Sequence, residues 1–437
     1  MRPAAWLVAT ALLLGGVARA QDDRPAVIVT DPNARSFRAA VQEFAPGGAG
    51  LDTARFRAEL GDALDFSGVF RSLDPAAFLA PRRTASLGGT LACADWAPIG
   101  ADAVIEGVTS GGPTVAVDFR VWDVARCTAL LHKRYTGGAS DATRIAKRIA
   151  DDVVEVFTGK RGVASTEIAF VSTRSGAPEI WVMDADGDNA RQATRNRSIN
   201  GFPAWSPDGR AIVYMSYQLN RAPLLFRLVR GGGGRAGRIL EGFDARTPVY
   251  RGVYDPSGQR LAVVVSVDGA PEIFVVDADG RNPRRLTRHK AIDVSPTWSP
   301  DGRRIAFVSD RTGQPNLYVM DAADGGNLRR ITFGGGYHTA PAWSPDGRWI
   351  AYEQRSGAGQ FDIWLADPDG QGQTPLVTHP RSDENPSWAP DARKLAFHSL
   401  RTGRPEIFVV DLDGENPRQI TRGGGDNTAP HWGPHPL

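Results

Sequence analysis

The string Trp-Ser-Pro-Asp-Gly occurs three times, at residues 205–209, 298–302 and 343–347, and no other feature constrains the fold as strongly. Degenerate copies stand at Tyr254-Asp255-Pro256-Ser257-Gly258 and Trp388-Ala389-Pro390-Asp391-Ala392, and Trp432-Gly433-Pro434 is a truncated sixth. Successive copies start 49, 44, 45, 45 and 44 positions apart. That period fits the four short strands of a propeller blade. In the unit opening at Pro296, residues 296–298 form a short first strand, and Ser299-Pro300-Asp301-Gly302 reads as a type I turn, with Pro fixing φ at its second position. Residues 305–309 are a β-branched and aromatic second strand, 316–320 a third, 321–327 a Gly-rich hairpin and 329–332 an outer strand. Such a unit cannot bury its faces alone, so the copies must stack.

Second strands recur six times, at 168–172, 212–216, 261–266, 305–309, 350–354 and 395–399. The first has no Trp motif ahead of it, and the motif at Trp432 has no second strand after it. Pairing the strand near Trp432 with the strand at Ile168 draws one blade from both ends and removes the open edge. The expectation is a mainly β chain: a six-bladed β-propeller over residues 163–437, preceded by a small α/β domain over 39–160.

The N-terminal part lacks the repeat. Arg2, an apolar run from Ala4 to Val17 and Ala18-Arg19-Ala20 read as a cleaved secretory signal peptide over residues 1–20. Its loss removes two of 51 basic residues and leaves them level with the 49 acidic ones, so no electrostatic footprint for nucleic acid remains. Residues 21–38 have no period and read as a mobile arm. Phe56, Leu60 and Leu64 predict a helix over 52–64; residues 104–108, 115–119 and 130–135 read as strands; Ser140-Asp141 opens a long helix with Ile145, Ile149, Val153 and Phe157 on one face. A hinge follows at 159–162. An oxidising compartment permits Cys93 and Cys127 to pair; two free thiols are the alternative.

Several patterns invite chemistry. Residues 184–189 and 411–416 hint at calcium loops but lack the closing bidentate Glu, and Asp-Gly favours tight hairpins, which is the expectation here. His289, His338 and His379 recur in equivalent blade-to-blade loops and read as solvated loop histidines; none of the seven histidines has a helical metal-ligand spacing. No Gly-x-Ser-x-Gly occurs, and no hydrolase-sized segment follows the repeats. The glycines at 231–234 read as a flexible hairpin loop, and Arg281, Arg284, Arg285 and Arg288 as a solvated face. No catalytic residue, metal or cofactor is assigned. The rival reading is a propeller hydrolase or lyase with a metal in its channel.

A signal peptide, a small α/β domain and six blades carrying Trp-Ser-Pro-Asp-Gly resemble the TolB family of periplasmic Tol–Pal propeller proteins. The departures are Tyr254 for Trp, Ala392 for Gly and Gly433 for Ser. The resemblance implies a non-enzymatic periplasmic scaffold, monomeric, that supports outer-membrane integrity and cell division. It implies that one propeller mouth binds the lipoprotein Pal, giving peripheral association with the outer membrane, and that the N-terminal arm binds TolA. The Pal contacts map ahead of the loop prolines, to Asp244, Thr247, Val294 and Ser295. The loop set of that mouth adds His289, Asp293, His338, Asp383, Glu384 and Asn385. In the arm the candidates are Asp22, Val27, Ile28, Val29, Asp31 and Asn33.

Overall fold

The computed structural model describes residues 36–47, 51–80, 83–110, 114–219, 222–230, 236–240, 242–244, 246–357 and 359–436. All six arm candidates lie outside these residues. The arm's expected limit at Arg38 falls inside a strand: β1 (Phe37–Val41), an interior strand of the N-terminal sheet. β1 pairs in parallel with β3 (Phe70–Ser72) and β4 (Ala103–Ser110); β2 (Ala45–Gly47) also pairs with β4, and β5 (Thr114–Asp123) and β6 (Thr128–Gly138) follow antiparallel. Helices α1 (Thr53–Phe66) and α2 (Ala142–Thr158) pack on each other and share one core with this sheet.

Local chemistry explains the helix limits. Asp52 caps α1 by accepting the Arg55 backbone N–H at 3.0 Å. Gly159 closes α2 in the left-handed region, φ 73°, as a glycine readily does. Within α2, Ile145, Ile149 and Val153 are buried at the four-residue spacing of one helix face. Cys93 and Cys127 are joined by a disulfide, so of the two readings left open by spacing, pairing is the one realised. The linker beyond the hinge is fastened back to α2. The Asp151 carboxylate accepts the backbone N–H groups of Ala164 and Ser165 and the Ser165 hydroxyl, and burial pushes its pKa up to about 6.

The remainder is a propeller of six four-stranded antiparallel sheets. Blades are numbered here by their first strands: Asn200–Trp205, Val249–Tyr254, Asp293–Trp298, His338–Trp343, Asp383–Trp388 and Asn427–Trp432. The last pairs with Glu167–Ser172, with Thr428 opposite Val171 and Trp432 opposite Ile168, so blade 6 is built from both ends of the repeat region as expected. Tryptophans bridge neighbouring blades. The Trp298 indole N–H donates to the Val253 carbonyl of blade 2 at 3.2 Å, and that of Trp388 to the Ala342 carbonyl of blade 4 at 2.9 Å.

The Ser-Pro-Asp-Gly turns sit at one end and repeat one hydrogen-bond set. In blade 3 the Ser299 hydroxyl donates to Asp301 and accepts the Arg304 N–H, Asp301 accepts the Arg303 N–H, and Gly302 at φ 66° donates to the Ser299 carbonyl. Blade 2 exchanges the two side chains. Asp255 takes the serine position, and Ser257 donates to it at 2.7 Å. Blade 5 has Ala389 and Ala392 in place of Ser and Gly, because this turn is covered. Ala389 belongs to the same core as α1 and α2.

The N-terminal domain therefore caps the turn end near blades 5 and 6. Lys147 of α2, almost fully buried, pairs with Asp184 at 2.8 Å and Asp186 at 2.6 Å in the hairpin of blade 6. Burial pulls its ammonium pKa down, but the two carboxylates outweigh it, and the net shift is upward. These are the carboxylates of the first calcium-like stretch. It is a hairpin, closed by Gly187 N–H to the Asp184 carbonyl at 2.9 Å. The second such stretch closes likewise, Gly414 to Asp411.

Candidate partner-docking mouth

At the other end, the loops between second and third strands lie beside the loops that enter each new blade. Two sets of buried polar residues hold them. Glu179, Asn316 and Glu406 open their third strands, and Glu272 and Asp362 are the third residues of theirs; all but Asp362 are at most 2% exposed. Their side chains hold the outgoing loop. Glu179 accepts the Arg197 backbone N–H, Glu272 that of His289 and Asp362 that of His379. Glu179 and Glu406 also accept the hydroxyls of Thr194 and Thr421, one strand further out.

The second set opens the first strands: Asn200, Asp293, His338, Asp383 and Asn427, none more than 2% exposed. Asp293 takes both its oxygens to the Arg311 guanidinium, at 2.9 and 3.1 Å, and Asp383 does the same with Arg401. Burial raises both carboxyl pKa values, while the serine and arginine contacts pull the other way. His338 lies against Asn316 at 3.1 Å. This corrects the expectation for three candidates. Asp293, His338 and Asp383 occupy a position whose side chain points into the blade wall in every copy, so they hold the mouth together and present no surface to a partner.

The other candidates are accessible. Asp244 and His289 are exposed; Thr247, Val294, Ser295, Glu384 and Asn385 are half-buried. His289 and His379 are not wholly free in their loops. Each ring accepts, through Nδ1, the backbone N–H two residues on. Glu384 stands near the buried His398, 3.7 Å away, and burial followed by the nearby Glu353 raises its pKa. Asn385 donates through its backbone and side chain to Glu353, at 2.7 and 2.8 Å. Among the described residues, no group of three or more His, Cys, Asp or Glu side chains converges in a way that could hold a metal ion.

What the sequence reading missed is apolar. Ile199, Ile292 and Tyr337, each one residue before a buried first-strand opener, are 55%, 49% and 38% exposed. Alternation along an extended segment explains this, because the residue next to an inward-pointing one points out. Leu219, 62% exposed, lies beside Ile199, whose carbonyl accepts the Tyr217 N–H. The Ile292 N–H donates to Asp310 at 2.8 Å, and the Tyr337 ring lies 5.9 Å from Phe361. The signal in the sequence was an apolar residue directly before three of the polar strand openers, Asn200, Asp293 and His338.

Inside this mouth the first strands bulge. Phe202, Ser295, Ala340, Asn385 and Ala429, each preceding a proline, have φ between 47° and 56°. Such left-handed non-glycine residues cost about 1–3 kcal/mol each and persist where surrounding structure enforces them.

Comparison with known proteins matches this architecture. A model of the TolB beta propeller domain matches residues 154–436, and one of the TolB amino-terminal domain matches residues 25–130. The chain is 37% identical over 301 residues to the Tol-Pal system protein TolB of Anaeromyxobacter dehalogenans, covering 68% of each chain. It is 32% identical over 392 residues to the Protein TolB homolog of Chlorobium luteolum, covering 88% of this chain and 87% of the other. The crystal structure of TolB from Acinetobacter baumannii superposes with a TM-score of 0.77 at 23% identity, over 92% of this chain and 97% of that one, a likeness of fold.

Proposed function

The chain belongs to the TolB family, and on that premise we propose that it is a non-catalytic periplasmic scaffold that docks the lipoprotein Pal on the loop mouth of its propeller. The observation that carries this reading is the set of outward apolar side chains, Ile199, Leu219, Ile292 and Tyr337, held on loops fixed by buried polar struts. Rigid apolar anchors with a polar rim are what a protein interface needs, since little ordering entropy is lost on docking. The rim is supplied by Asp244, His289 and Glu384. The opposite end carries the N-terminal domain and leaves less room for a second partner.

The arm ahead of β1 contacts TolA, residues 1–20 are removed on export, and the protein meets the outer membrane through Pal, as a monomer supporting envelope integrity and cell division. The Cys93–Cys127 disulfide suits an oxidising compartment. No described helix is long and apolar enough to cross a membrane. The test is a titration of the soluble Pal domain against wild-type protein, Ile292→Asp and Tyr337→Ala. Both variants should melt like the wild type and bind Pal at least tenfold more weakly. Unchanged affinity in both assigns the wrong face. For the arm, deleting residues 22–33 should leave the melting temperature unchanged and abolish TolA binding; retained binding ends that assignment.

A further inference from the structure

One blade breaks the repeat where the first strand faces the channel. Five blades place a left-handed residue and then a proline at the bulge: Pro203, Pro296, Pro341, Pro386 and Pro430 follow Phe202, Ser295, Ala340, Asn385 and Ala429. Blade 2 has Arg251-Gly252 instead. Its register slips between Val249 and Arg251, and the left-handed residue is gone. A β-carbon on Gly252 would stand 2.6 Å from the end of the Leu225 side chain of blade 1, which would have to turn away to admit one.

The result is a guanidinium in the channel with little to satisfy it. Arg251 stands at the loop-mouth side of a cavity of about 430 Å³ whose walls run from Phe202, Asn385 and His431 down to Pro207, Asp255 and Pro300 at the turn end. Among the described residues no carboxylate comes within 4.0 Å of it. Its contacts are the Phe202 ring, 5.7 Å from the guanidinium carbon, and a longer-range attraction to Glu353 of blade 4. Glu353 is already engaged by the Thr339 hydroxyl and by Asn385. Elsewhere in the propeller, Arg285, Arg311 and Arg401 each close directly on a carboxylate. Desolvation lowers the Arg251 pKa to about 10, which leaves it charged at neutral pH. His431 holds its Nδ1 toward the Trp205 N–H and, with its pKa lowered to about 4 by burial and by Arg251, is neutral there; its proton then sits on Nε2 as a donor.

We propose that the channel is a binding site for a single carboxylate, held by Arg251. A planar guanidinium presents two parallel N–H donors that match the two carboxylate oxygens. One unpaired cation favours one negative charge. Asp255 in the cavity wall and the nearby Glu353 disfavour a dianion such as hydrogen phosphate. The carboxylate comes either from a small free acid or from an acidic side chain of a protein docked on the loop mouth; the second source rests on the function proposed above.

The test begins without any partner. The channel tryptophans report occupancy, so intrinsic fluorescence is followed while acetate replaces chloride at constant ionic strength, with phosphate as a second series. Wild-type protein should show a saturable change with acetate and a weaker one with phosphate. In Arg251→Gln the acetate midpoint should rise at least tenfold, and Arg251→Lys should fall between. Melting temperatures of both variants establish that they are folded. In a second arm, Pal-domain affinity is measured for wild type and Arg251→Gln, with and without acetate. A tenfold loss in Arg251→Gln together with competition by acetate assigns the carboxylate to the partner. Pal affinity indifferent to both, with acetate still saturable, assigns it to a free acid. The proposal is overturned if acetate binding is the same in Arg251→Gln as in wild type. It is equally overturned if neither acetate nor Pal responds to Arg251. Failure of Pal to bind wild-type protein counts against the docking reading alone, because the acetate series stands without it.

Discussion

The two ends of the propeller are built from the same repeat and use its polar residues in opposite ways. At the turn end, Ser and Asp bond to each other and to their own turn, as in Ser206 to Asp208 and Ser344 to Asp346. The intact turns of blades 1, 3 and 4 share one hydrogen-bond set, while that of blade 5 is covered by the N-terminal domain. At the loop end the recurring polar residues point inward and tie different strands together, as Asp383 ties to Arg401 and Glu406 to Asn427. What faces outward there differs in every blade. A polar residue that repeats is therefore a strut at either end, and individuality is confined to the residues beside the struts. An asymmetric partner requires that arrangement, because six identical loops would offer it six equivalent poses.

The largest effect should come from opening the ring. Deleting residues 428–437 removes the strand paired with Glu167–Ser172 and exposes an unpaired edge. Urea unfolding should lose its single cooperative transition, and the protein should aggregate; a truncated chain that melts like the whole would show that the ring does not depend on this strand. Next come single struts. Trp298→Ala empties a buried indole site between blades and should cost about 3–5 kcal/mol. Asp383→Asn breaks a buried ion pair and should cost about 3–5 kcal/mol, read from the urea midpoint. If Asp383→Asn melts normally and fails to bind Pal, Asp383 belongs to the docking surface after all.

Acid should separate the two ends. At the loop end, burial lowers the His398 pKa to about 4, and an unfolded histidine titrates near 6.5. Between these values the unfolded chain holds a proton that the folded chain refuses. Stability is therefore full above pH 6.5 and falls as pH drops toward 4, by about 2–4 kcal/mol for this residue. Asp151 works the other way. Its pKa, raised to about 6, lets the folded form keep a proton that the unfolded form releases, which favours folding below pH 6. At the turn end the hydrogen bond from Ser206 lowers the Asp208 pKa, and that from Ser299 lowers Asp301. Their contribution is present above the ordinary carboxylate range and lost only below it. Urea midpoints at pH 7 and pH 5 should differ less in His398→Asn than in wild type; an equal difference removes His398 as the cause.

The ring was legible because its turn carries backbone-specific residues. Pro and Gly at fixed places announce a turn geometry, and spacing then counts the blades. The closure followed from one unmatched strand at each end. The docking mouth was only half legible. Asp293, His338 and Asp383 looked like surface residues because they are polar and sit in loop-like sequence, but polarity does not tell which way a side chain points. Only the register of Asp293 opposite Ser309 and Asp383 opposite Ser399 fixes the direction. The apolar anchors were missed for the converse reason, since Ile199 and Ile292 look like core residues until the buried polar neighbour is seen. Ala389 and Ala392 read as decay of a motif, and only the packing of the N-terminal domain shows that small residues suit a covered turn.

The smallest expected effect on stability carries the sharpest information about function. Ile292 is about half exposed, so Ile292→Asp should change stability by no more than about 0.5 kcal/mol. Asp413→Lys in the blade 5 hairpin is an exposed change at the turn end and should be as mild. The two substitutions alter charge in opposite directions, and a partner attracted only by overall charge would respond to both. If docking uses the apolar anchors of the loop mouth, the soluble Pal domain should lose at least tenfold in affinity for Ile292→Asp, mainly through faster dissociation, because desolvated contacts are broken. Asp413→Lys should leave affinity and dissociation rate unchanged at physiological salt, where charges farther apart than about 8 Å are screened. Loss of Pal binding in Asp413→Lys with retention in Ile292→Asp would move the partner to the turn end, beside the N-terminal domain. The variable loops would then need a different explanation.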